Sequence, residues 1–173
     1  FHDMTVPEGV LSISVHPEMP DTFRNYDWFY NPLVSRHSLY YKGMKVLVAN
    51  TSDRAYEFAT GEGVLNMIVQ ARDETGEWRD IEYLPDFSIN GYGSDTLFAQ
   101  QYLSFAAPVY QGSFKTKLRI RLQGFRQAKG KRTKPNNVQA AYDIYRYSKL
   151  VIYSNEYDGA INPAQFWRRY DQA

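Results

Sequence analysis

Apolar and polar residues alternate with a period of two along much of this chain, as they do in strands that bury one face and wet the other. The longest such passage is Val64–Leu84. Leu65, Met67, Val69 and Ala71 share one side of its first run, and Asn66, Gln70 and Arg72 share the other, with Ile68 out of step. Asp73-Glu74-Thr75-Gly76 follows, and then a second run in which Arg79, Ile81 and Tyr83 alternate with Asp80, Glu82 and Leu84. Asp at the first turn position and Gly at the fourth suit a type I turn with Gly76 at positive φ, so the passage predicts an antiparallel hairpin. Val10–Val15 alternates strictly. Ser113–Gln123 does so with Phe114, Thr116, Leu118, Ile120 and Leu122 on one face and Lys115, Lys117, Arg119 and Arg121 on the other. Cations repeating about 6.6–7 Å apart along a strand repel unless anions lie beside them. Asp80 or Glu82 of the hairpin, or another acidic strand, is expected to supply those anions. Further strands are predicted in Ser38–Asn50, Tyr56–Ala59, Thr96–Ala106 and the run Tyr142–Tyr153, with Ser148–Tyr153 as the last core strand.

The intervals between these runs are irregular. Residues 16–36 contain Pro17, Pro20 and Pro32 and the aromatic cluster Phe23, Tyr26, Trp28, Phe29 and Tyr30. They read as a long loop, with one or two helical turns in Asp21–Tyr30 as an alternative. A glycine-rich loop is expected over residues 86–95 and an exposed basic loop over 124–137, where Arg126, Lys129, Lys131, Arg132 and Lys134 stand among Gly, Pro and Asn. Near the C-terminus, Asn162 and Pro163 suit the N-cap and first turn of a short helix that would dock Phe166, Trp167 and Tyr170 on the body. About seven or eight strands at short spacing predict an all-β fold. The expected architecture is an antiparallel β-sandwich with Greek-key-like connections, immunoglobulin-like or jelly-roll-like. Residues 1–9 are expected to be a flexible leader and 10–173 one domain.

Composition sharpens this picture. The 173 residues include 15 Tyr, 10 Phe and 3 Trp, a richness that suits half-buried strand positions and recognition surfaces. There is no cysteine, which excludes disulfides, thiolate catalysis and Cys-ligated metal sites. No apolar run approaches the roughly 18 residues that span a bilayer. The net charge of +1 hides an imbalance: 15 acids face 7 bases through Asp95, and 4 acids face 13 bases beyond it. Pairing of the two halves across neighbouring strands is the simplest reading; an acidic and a basic pole is the other.

Candidate chemistry is sparse. His2, His16 and His37 form no HxH or HExxH, and there is no G-x-S-x-G elbow or phosphate-binding glycine motif. Asp80 and Glu82, roughly 7 Å apart on one strand face, have the spacing of a glycosidase pair but also that of a solvated strand. A carboxylate-dependent hydrolase with its site in the end loops is therefore one alternative. Oxygens in Ser88–Asp95 and Asp53–Glu57 leave a structural calcium open, without an EF-hand pattern, and no other cofactor is expected. Nucleic-acid or anion binding through Arg126–Lys134 is a second alternative, and an isoelectric point near 8.0 speaks against nucleic acid. Asn50-Thr51-Ser52 matches a glycosylation sequon and reads equally well as a turn. The reading favoured is a non-enzymatic module that binds a glycan or protein, with Tyr26, Trp28, Phe29, Tyr30 and Tyr92 as aromatic ligand contacts.

The segments VANTSD, LNMIVQARDETGEWRDIEY, APVYQGSFKTKLRIRL and YSNEYDGAINPAQF resemble uncharacterised β-sandwich domains of exported bacterial proteins of the kind common in gut Bacteroidetes. The resemblance spans Lys45–Phe166. It implies export to the periplasm or cell surface, with a lipid anchor upstream of Phe1 compatible with the leader, and it brings no catalytic residues.

Overall fold

The computed structural model describes residues 8–24, 40–61, 63–82, 91–128 and 138–167. Twelve strands follow in chain order: β1 Leu11–Arg24, β2 Tyr40–Asn50, β3 Tyr56–Gly61, β4 Val64–Leu65, β5 Met67–Arg72, β6 Trp78–Asp80, β7 Tyr92–Leu97, β8 Gln101–Pro108, β9 Phe114–Gln123, β10 Phe125–Gln127, β11 Val151–Tyr153 and β12 Tyr157–Ile161. A helix, α1 Val138–Tyr147, precedes β11, and a 3₁₀ turn spans Pro163–Phe166. The strands form three antiparallel sheets: β1-β2-β8; β10-β3-β4 with β7 also on β3; and β11-β9-β5-β6 with β12 also on β9. The fold is all-β and sandwich-like, with a short C-terminal helical turn, as the alternation predicts.

The turn forms as expected, but the strands are shorter: the first run breaks at Asn66 into β4, which pairs with β3, and β5, which pairs with β6, and that pairing ends at Asp80. Gly76 has φ 86°, its N–H donates to the Asp73 carbonyl at 3.0 Å, and the Asp73 N–H donates to the Glu77 carbonyl at 2.9 Å. Gln70 then faces Asp80, and β5 continues onto β9 with Val69 opposite Ile120. Leu65, Val69 and Ala71 join Val46, Phe58, Leu118, Leu122 and Ile161 in one core. Leu118, Ile120 and Leu122 of β9 all point into it, so the apolar side of this amphipathic strand is its buried side.

Several expectations are corrected. β1 does not stop at Val15 but runs on to Arg24, against Lys45–Tyr40 of β2. It tolerates its prolines because it is an edge strand, where an N–H is dispensable, and because its pairing is interrupted between His16 and Pro20. The run Thr96–Ala106 splits into β7 and β8 around Gln100, whose φ is 59°, and the glycine-rich loop contributes Tyr92–Asp95 to β7. Residues 138–147 are helical. Their tyrosines mimic alternation, but the buried pair Ala141 and Ile144 has helical spacing, and Gln139 donates to Asp143 one turn on at 2.9 Å. β12 then follows β11, so Ser148–Tyr153 is not the last strand. Finally, Phe125–Gln127 is strand β10 rather than mobile loop, because Phe125 is a buried anchor packed 5.5 Å from Phe58.

At the C-terminal turn, the Asn162 side chain accepts from the Ala164 N–H at 3.0 Å and Phe166 packs edge-on to Phe114 at 5.6 Å. Trp167 is 74% exposed, so its ring is not buried as the docking expectation required. Asn50 is fully buried, its amide donating to the carbonyls of Arg54, Leu97 and Phe98, so the sequon is closed by the fold.

Candidate functional site

The outer face of the β11-β9-β5-β6 sheet carries the four cations of β9. Arg121 meets Asp80 at 3.0 Å and Lys117 meets Asp158 at 2.8 Å, so the hairpin supplies one expected anion and β12 another. Arg119 has no carboxylate within ion-pair distance among the described residues. Its Nε donates to Gln70 Oε1 at 2.9 Å, and its guanidinium lies between two rings, 4.1 Å from the centroid of Trp78 and 4.0 Å from that of Tyr153. Burial pulls the Arg119 pKa down, against the opposing pull of Tyr153 and Glu156. Arg72 covers Trp78 at 5.1 Å and pairs with Glu156 at 3.1 Å. The result is a ladder of alternating rings and guanidinium groups, with each ring's orientation held by a cation. The same ladder covers Gln70, which is 5% exposed although it stands on the polar side of β5.

Tyr153, 48% exposed, is at the boundary between this ladder and an open groove of about 820 Å³. One wall of the groove is β1, with Ser14, His16 and Glu18; the other is the segment from Tyr153 to Asp158. Residues two apart on a strand share a face, so Ser14, His16 and Glu18 line up. His16 Nε2 lies 2.9 Å from Ser14 Oγ, and His16 Nδ1 lies 3.0 Å from Glu18 Oε1. A backbone hydrogen bond, followed by the bond to His16, holds the Glu18 carboxyl below its ordinary pKa. Across the groove, Asn155 Oδ1 accepts the Val15 N–H at 2.7 Å, and its Nδ2 donates to the Val15 carbonyl at 2.9 Å.

Ser, His and Glu in this order form the hydrogen-bond relay of an acyl-transfer nucleophile. The strand beneath them does not supply the rest. The Val15 amide is committed to Asn155, and Ser14 stands opposite Leu47 in the β1–β2 ladder. Stabilising an oxyanion requires N–H groups aimed at empty space beside the nucleophile. Glu18 is moreover 67% exposed, so its bond to His16 is made in water.

A second concavity lies inside the sandwich. It has a volume of about 420 Å³ and is walled by Val46, Phe105 and Ala107 on one side and Leu65, Met67 and Ile120 on the other. Glu82 contributes its carboxyl. Glu82 Oε2 accepts the Val69 N–H at 2.8 Å, and Oε1 accepts the Tyr110 hydroxyl. Burial raises the Glu82 pKa, with the two hydrogen bonds opposing and Asp80 adding to the rise. Burial also raises the pKa of Tyr110 and Tyr157, with Glu82 adding to both, so both remain neutral phenols. The Tyr157 hydroxyl is buried and has no hydrogen-bond partner among the described residues.

The residues singled out in the sequence fall only partly within the described structure. Tyr26, Trp28, Phe29 and Tyr30 lie outside the described residues, as do Lys129, Lys131, Arg132 and Lys134. Tyr92 is half-buried on β7, edge-on to Tyr142 at 5.2 Å and to Tyr145 at 5.1 Å. Arg126 is on β10 and pairs with the buried Glu57 at 2.8 Å. Asp80 and Glu82 part company: Asp80 faces the outer ladder and Glu82 the interior cavity. Of the segment considered for calcium, Asp53 lies 3.7 Å from Arg54 and Glu57 is held by Arg126. Among the described residues no group of three or more His, Asp or Glu is placed to hold a metal ion, and no helix is long and apolar enough to cross a membrane. Sequence reading missed the Ser14-His16-Glu18 line, whose signal is the period-two spacing S-x-H-x-E, and the groove around Tyr153, which depends on β1 meeting β11 and has no local signal. The chain matches no family model, no curated protein and no solved structure.

Proposed function

We propose that this chain is an exported, non-enzymatic module that binds a glycan on the surface around Tyr153. The observation that carries the reading is the braced ring. Tyr153 is half-exposed, its ring is held by Arg119 at 4.0 Å, and it borders a groove with Asn155, Glu156, His16 and Asp158 at hand. Sugars present flat C–H faces that stack on rings, and their hydroxyls bond to amide and carboxylate groups at the edge of such a platform. A ring already locked by a cation loses little freedom on binding, which favours affinity. Export rests on the resemblance to exported bacterial domains.

A glycan panel titrated by calorimetry tests this reading. Tyr153→Ala is expected to weaken the best ligand by about tenfold. Tyr147→Ala, which removes a ring 67% exposed on α1, leaves the affinity unchanged. Absence of binding across the panel, or equal affinity in the Tyr153 variant, overturns the proposal.

The Ser14–His16–Glu18 relay favours a second reading, in which Ser14 is an acyl-transfer nucleophile. A fluorophosphonate probe separates the two: labelling abolished by Ser14→Ala supports the nucleophile, and no labelling leaves the relay as a polar wall of the binding groove.

A further inference from the structure

Among the described residues, the buried and half-buried carboxylates are answered by cations, with one exception. Glu57 has Arg126 at 2.8 Å, Asp21 has Lys45 at 2.8 Å and Asp80 has Arg121 at 3.0 Å. Glu82 has only the Val69 N–H and the Tyr110 hydroxyl, and no Lys, Arg or His within ion-pair distance among the described residues. The other titratable groups acting on it are Tyr157 from β12, which is a neutral phenol, and Asp80 from its own segment, which is negative. An ionised carboxylate held away from water without a partner is costly, and a positive group brought to it relieves that cost.

The space beside Glu82 is shaped for such a group. The cavity of about 420 Å³ falls within the range of small-molecule sites, and most of its wall is hydrocarbon. Gly63, Val64, Thr22 and Pro108 also border it. Apolar walls with one uncompensated carboxyl complement a molecule that has an apolar body and one cationic nitrogen. An alcohol of the same shape offers a hydrogen bond without the charge. A carboxylate of the same shape sets two anions together.

We propose that this cavity binds a small apolar amine, with its body among Val46, Met67, Phe105 and Ile120 and its ammonium on the Glu82 carboxylate. Where Glu82 is protonated in the free protein, its proton leaves as the ammonium arrives. Binding then releases a proton to the buffer and tightens as pH rises, until the ligand amine itself loses its charge.

The test is calorimetry on the full chain with phenethylamine, 2-phenylethanol and 3-phenylpropanoate. The amine is expected to bind about tenfold more tightly than the alcohol, and the carboxylate most weakly. The preference for amine over alcohol falls to about threefold or less in Glu82→Gln. The measured heat varies with the ionisation enthalpy of the buffer in the wild type and not in that variant. Ala107→Leu narrows the cavity without touching Glu82, and it abolishes amine binding while the circular dichroism spectrum is retained. Equal affinity for amine and alcohol in the wild type, amine binding untouched by Ala107→Leu, or no saturable binding of any of the three overturns the proposal. These readouts are independent of glycan binding at Tyr153.

Discussion

On the outer face of the β11-β9-β5-β6 sheet, Asp80 meets Arg121 at 3.0 Å and the Gln70 amide at 2.7 Å. Two residues further on, Glu82 lies against an apolar cavity and meets no cation among the described residues. The two side chains differ by one methylene, and their surroundings give them opposite chemistry. Outside, arginines and water surround the carboxylate and its charge is welcome. Inside, burial favours the proton. Where β6 ends decides which acid goes where. Pairing stops at Asp80, Ile81 turns into the core with its N–H on the Val69 carbonyl at 3.0 Å, and Glu82 is left to satisfy the Val69 N–H from within.

This contrast between the two faces of one sheet is open to experiment. The largest effect is expected on the inner side of β9. Leu118 is 1% exposed, and Leu118→Ala should cost about 2–5 kcal/mol in urea denaturation. A loss below about 1 kcal/mol would mean that the inner layer is not the packed one. An intermediate effect, with a sign that depends on pH, is expected at Glu82. Its folded pKa lies above the ordinary 4.5, so its contribution to stability is fully present below 4.5 and is lost as pH rises through the folded value. Stability measured against pH should therefore fall over that window in the wild type relative to Glu82→Gln, and parallel curves would break the contrast. The smallest effect is expected outside. Lys117 and Asp158 pair at 2.8 Å but are 46% and 87% exposed, so Lys117→Ala should change stability by about 0.5 kcal/mol or less, and less still in high salt.

Much of the scaffold is legible in the residues themselves. The hairpin declares its turn through Asp73 and Gly76. Asp73 Oδ1 also accepts the N–H groups of Thr75 and Glu77, each at 2.9 Å, and the carboxyl is held down to about 2, first by the Thr75 hydroxyl. β9 declares its two faces by strict alternation. Legibility fails where two periods coincide or where a partner strand decides. In Tyr142–Tyr147 the tyrosines fit a strand as readily as a helix, and packing of Ala141 and Ile144 settles it for the helix. In β1, Pro17 and Pro20 read as breakers because the sequence does not say that the strand is at an edge. The binding features share this second limit. Tyr153 becomes a platform only because Arg119 crosses to it from β9, and Glu82 becomes an interior acid only because β6 is short. The outward-facing Asp80 was anticipated; the inward-facing Glu82 was not, since alternation assigned both to one side.

The hydrogen bonds of Asn155 have a consequence beyond the groove they border. β1 is the edge of its sheet, and an edge strand offers its free N–H and C=O groups to any passing chain. Asn155 fills both groups of Val15 with one carboxamide, as a neighbouring strand would, and does so from the connection between β11 and β12. The side chain is thus a one-residue plug at the edge of β1. It takes one pair of edge groups away from any strand that would add there, and it ties β1 to the connection between β11 and β12.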